Sequence, residues 1–78
     1  MSRYRVHPRK SGGIGAPPVP DLQTVIAELE VDAEGVARWA ILVPAYTATL
    51  QPLFMSQPFN ESSVLDGLSP HGLTLVAS

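Results

Sequence analysis

Arg3, Arg5, Arg9 and Lys10 fall within the first ten residues, and no acid stands among them. Guanidinium and ammonium groups at that density bind carboxylates or phosphates. Tyr4, in their midst, could stack on a nucleic-acid base. The rest of the chain holds all seven acids and a single base, Arg38. The asymmetry reads as a basic arm reaching away from an acidic body toward something else. An acidic protein surface is the first expectation for what the arm meets. Nucleic acid is the weaker one, because the acidic body opposes broad phosphate contact and no RNA- or DNA-binding signature accompanies the arm.

Glu28, Glu30, Asp32 and Glu34 occupy every second position. On a strand they share one face. Calcium binding usually needs a loop with several converging oxygens, so a solvated outer face is the plainer reading. In an assembly, the same row could receive the basic arm of a neighbouring copy. Asp66, Ser69 and His71 invite a nucleophilic triad, but triads are assembled from separated elements with an oriented base and an oxyanion hole. Three polar residues within one loop are ordinary loop chemistry. Gly13-Ile14-Gly15 resembles the start of a phosphate loop but lacks its third glycine, and Pro17 and Pro18 stand where its helix should begin, so the stretch reads as a flexible linker. His7 and His71 lie near opposite ends with no ligand cluster around either. The residues therefore predict no enzyme, no cofactor and no metal site.

What must position these groups is small. Seventy-eight residues make at most one small domain. Such a core rarely supplies more than roughly 3–5 kcal/mol, so small proteins add a staple. There is no cysteine, which excludes disulfides. Oligomerisation or docking on a larger partner remains. Hydrophobic residues are 45% and charged residues 15%, a balance that leaves apolar surface exposed on a lone chain and so marks an interface. No secretory signal is visible, since the basic N-terminus leads into a Gly/Pro-rich stretch. The uncharged run from Trp39 to Asn60 is long enough to span a bilayer, but Pro44, Pro52 and Pro58 interrupt it. Each would remove a backbone hydrogen bond that lipid cannot replace, so no membrane span is expected.

The expected fold is mainly β: a hairpin-centred body over residues 21–78 behind an extended arm over residues 1–20. Within the arm, Arg3 to His7 could add as a strand to a neighbour's sheet, with Arg3 and Tyr4 on opposite faces, or stay frayed as a disordered terminus. Asp32-Ala33-Glu34-Gly35 suits a type I turn with glycine in the left-handed position. It joins strands over about 23–32 and 36–43. The alternative is an α+β fold with a helix over 21–30, since Leu22, Val25, Ile26 and Leu29 also recur at helical spacing and Asp21 could cap it. Trp39, with Ala37, Ile41 and Val43 on its face, should anchor the core. Leu42 on the other face suggests that both faces are covered. Residues 44–59 read as extended and proline-punctuated, with a third strand over 45–50 and an apolar knob at Leu53-Phe54-Met55 that folds over the hairpin or enters a partner. Asn60 could cap one helical turn through Leu65, stopped by Gly67. A last strand follows at 73–76.

The function expected is binding rather than catalysis. The leading expectation is a structural accessory protein that docks on, bridges or stabilises a large symmetric assembly, with copies of itself among its partners. A virus or bacteriophage particle is the first such assembly to consider, as capsid decoration or tail accessory, and the location would then be the virion. The alternative is a small cytoplasmic adaptor or regulator that grips nucleic acid or an acidic protein through the arm. The candidate partner-binding residues are Arg3, Tyr4, Arg5, Arg9, Lys10, Leu53, Phe54, Met55 and Phe59.

Overall fold

A computed structural model describes residues 2–10, 12–55 and 58–78. It is an antiparallel sheet with two short helices on one face. The strands are β1 (Ser2–Lys10), β2 (Val19–Pro20), β3 (Ala27–Val31), β4 (Ala37–Ile41) and β5 (Leu73–Ala77). The helices are α1 (Thr47–Met55) and α2 (Glu61–Leu68).

The expected hairpin is present as β3 and β4. Its turn forms for the reason the residues give. The Asp32 carboxylate accepts hydrogen bonds from the Glu34 and Val36 amides at 3.0 and 2.9 Å. Gly35 takes φ +81°, which a side chain would resist.

The arm expected over residues 1–20 is not an arm in its first half. Ser2–Lys10 is β1, the strand between β3 on one side and β5 on the other. The alternation at Arg3 to His7 is a strand, as read, but it completes this chain's own sheet. A proline in a central strand is normally excluded. Here Pro8 directs its backbone toward the side where residues 21–25 leave the sheet before β3 begins, and its carbonyl accepts from the Asp21 amide at 2.7 Å. The missing N–H therefore costs no ladder bond.

The helix alternative over residues 21–30 does not form. Asp21 does cap a turn: its carboxylate accepts from the Gln23 amide at 3.2 Å and the Thr24 hydroxyl at 3.1 Å. The chain then straightens into β3, leaving Leu22 64% exposed. His7 fixes this connection. The residue is 4% exposed, and Nδ1 lies 2.7 Å from the Thr24 carbonyl oxygen. A carbonyl only accepts, so Nδ1 carries the hydrogen and donates it.

The strand expected over residues 45–50 is helix. A 3-10 turn at Pro44–Tyr46 leads directly into α1. Pro44 costs little because the first turn's amides have no intrahelical partner. Pro52 lies inside α1 on its exposed side. Against its cost stand Leu50 and Phe54, one helical turn apart and both fully buried. Of the extended reading over residues 44–59, positions 56 and 57 lie outside the described residues. The turn expected after Asn60 is α2, capped by the Asn60 side chain, which accepts from the Ser63 amide at 3.1 Å. It continues through Gly67 to Leu68, and Gly67 serves close packing there, since the Leu53 side chain lies where a Cβ would stand.

The core lies between sheet and helices. Val6, Leu29, Val31, Leu73 and Leu75 meet Leu50, Phe54, Val64 and Leu68. Phe54 is its largest fully buried side chain, and Trp39, expected as the anchor, packs half-buried against it with ring centroids 5.7 Å apart. The second strand is not covered on both faces, since Leu42 is 53% exposed. No helix among the described residues is long and apolar enough to cross a membrane.

Candidate functional site

The nine residues proposed to meet a partner separate into three groups. Phe54 belongs to the interior, and Leu53 and Phe59 are half-buried against the core. The knob thus folds over its own hairpin; only Met55, 59% exposed, faces outward. Tyr4 also turns inward, half-buried, with its ring 5.3 Å from that of Phe59.

Arg3 and Arg5 form the second group. They lie on the sheet face opposite the helices, in register with Glu30 and Glu28 of β3. Arg3 Nε is 3.5 Å from Glu30 Oε2, and Arg5 Nε is 3.8 Å from Glu28 Oε1. The basic residues and the acidic row thus meet within one chain. All four side chains stay substantially exposed, so each pair contributes at most about 1 kcal/mol. What the pairs add is register, because a slip of one residue would move every charge to the apolar face. Arg38 continues the row beyond Glu30 in β4. These side chains border a shallow groove of about 350 Å³ that also reaches Ala40 and Ser78.

The third group, Arg9 and Lys10, marks the base of a hairpin that sequence reasoning divided between arm and linker. Lys10 pairs with Val19 and Arg9 with Pro20. Between them every described residue, 12–18, is exposed, and Ile14 is fully so. The element is a finger, uncharged from residue 12 to residue 20. Its signal in the sequence is the proline and glycine spacing around one isoleucine, a pattern that a flexible linker shares. The molecule measures 42 × 24 × 20 Å.

Asp66, Ser69 and His71 lie at the end of α2 and the 3-10 turn after it, all exposed, and no hydrogen bond joins them among the described residues. No group of three or more His, Asp or Glu among the described residues could hold a metal ion. No family model, curated protein or solved structure matches this chain.

Proposed function

We propose that this chain is a non-enzymatic structural accessory protein that docks on a larger symmetric assembly through its β1–β2 finger. The observation that carries the reading is that finger: an uncharged tip with Ile14 fully exposed, above a base of Arg9 and Lys10. A solvated isoleucine gains about 2 kcal/mol on entering an apolar pocket, and the two cations favour a pocket with an acidic rim. Two further features support docking. Among the described residues, no strand pairs with the outer edge of β4 or of β5, and the only charged residue in either strand is Arg38. Sheet edges that avoid association usually carry charges or prolines.

A virus or bacteriophage particle is the assembly we propose, as a surface decoration or tail accessory. Many identical small sites on a symmetric lattice suit a compact, cysteine-free body with one projecting element. The reading of an adaptor that grips nucleic acid has less support, because Glu30 and Glu28 stand beside two of its four cations. Phosphates would meet those carboxylates first.

The test is incorporation. Particles purified from the source at moderate salt should contain many copies of the chain. Ile14→Asp should abolish that incorporation while leaving the circular dichroism and melting temperature of the isolated chain unchanged. A chain recovered only as a free monomer or small oligomer, or one whose incorporation survives Ile14→Asp, would overturn the reading.

A further inference from the structure

The sheet face opposite the helices carries a charge pattern that is complementary to itself, and we propose that it is the interface of a two-fold dimer of this chain. The pattern is set by register. Across the face run two rows: Val76, Arg5, Glu28 and Ala40, then Ser78, Arg3, Glu30 and Arg38. One column, β1, presents guanidiniums; the next, β3, presents carboxylates.

Small ligands fit this face poorly. An anion among the three arginines meets two carboxylates between them, and a cation meets the reverse. A surface with the same alternation satisfies both. Consider a two-fold axis parallel to the strands and midway between β1 and β3. It preserves each row and exchanges the two columns. Arg3 then lies over the second copy's Glu30, and Arg5 over its Glu28, with both contacts repeated by symmetry. The same rotation sets Val76 against the second copy's Ala40, two small apolar side chains flanking the charges. Arg38 falls over the second copy's Ser78, whose hydroxyl can accept from it. Facing sheets stack about 10 Å apart, a gap that arginine and glutamate side chains can bridge from both sides. Arg3 and Arg5, each held by one carboxylate within its own chain at 3.5 or 3.8 Å, each gain a second across the interface.

The interface is independent of the finger, which lies beyond Arg9 at the end of β1, so either proposal can fail alone. Sedimentation equilibrium of the full chain at low salt should show a dimer. Raising the salt from about 0.05 M to about 1 M, where screening acts within about 3 Å, should weaken it at least about tenfold. Ala40→Arg should give a monomer: Glu28 stands beside position 40 in register and preserves the fold, but the new charge would press on the second copy's Val76. The decisive experiment mixes two charge-reversed chains. One carries Arg3→Glu with Arg5→Glu, and the other carries Glu28→Arg with Glu30→Arg. Each alone should be monomeric, and the equimolar mixture should form a heterodimer. A monomer for the unmodified chain at low salt and submillimolar concentration would overturn the proposal and leave the face to a foreign partner. So would a dimer indifferent to salt and to Ala40→Arg, which would place the contact at a sheet edge.

Discussion

Phe54 decides what a mutation in the apolar segment would report. A knob inserted into a partner would tolerate a charge when free and lose only docking. Phe54 is instead fully buried beside Leu50 and Trp39, so the variant tests the core. Phe54→Ala should cost about 3–5 kcal/mol in urea unfolding. In a domain this small that approaches the whole stability, and Phe54→Asp should show no cooperative transition at all. Asn60→Ala removes one capping bond and should cost about 1 kcal/mol in the same assay. The residues whose roles were legible act on close neighbours. Asp32, Gly35 and Asn60 bond or turn within four positions, so their spacing alone specifies the geometry. The roles of Arg3, Arg5, Glu28 and Glu30 depend on which remote strands become neighbours. No spacing in the sequence encodes that Arg5 stands opposite Glu28.

Elements were misread where a local rule was outweighed by burial. Prolines 44 and 52 argue against helix, and a proline in a helix interior costs about 3 kcal/mol. Burying Leu50 and Phe54 on one face returns about 1.5–3 kcal/mol for each side chain, and only the helical spacing of these two puts both under the sheet. Pro52→Ala should therefore stabilise the fold by about 1–3 kcal/mol in thermal or urea unfolding. If it destabilised instead, the proline would be holding α1 in place rather than straining it. In β1 the strand at Arg3 to His7 was legible, but its place in this chain's own sheet was not. Its prolines and charges resemble a solvated tail, whereas Val6 is fully buried and Pro8 faces a gap in the ladder. The hairpin of β3 and β4 was legible because its turn chemistry and its alternation agree. The sheet around it was not, because β1 and β5 come from opposite ends of the described chain.

At the scale of the whole molecule, β1 closes the fold and also sets its polarity. Removing residues 2–10 should abolish the sheet signal in circular dichroism, because β5 is left without the strand it pairs with; a free arm would be removed without effect. The direction of β1 also links the two proposals. A two-fold axis parallel to the strands leaves their direction unchanged, so both fingers of the dimer leave from the same end. Two fingers facing one surface dock as a bivalent unit. The second contact then forms at an effective concentration set by the rigid body between the fingers, which can raise avidity by about 10²–10⁴ without any new contact. Ala40→Arg, which removes the dimer and leaves both finger and fold intact, should therefore reduce occupancy of the native particle by a large part of that factor at limiting concentration. Ile14→Asp should abolish occupancy whether the chain is dimeric or not. Equal occupancy by the Ala40→Arg monomer and the unmodified dimer would mean that the fingers dock singly, and the shared direction of the two fingers would then have no part in docking.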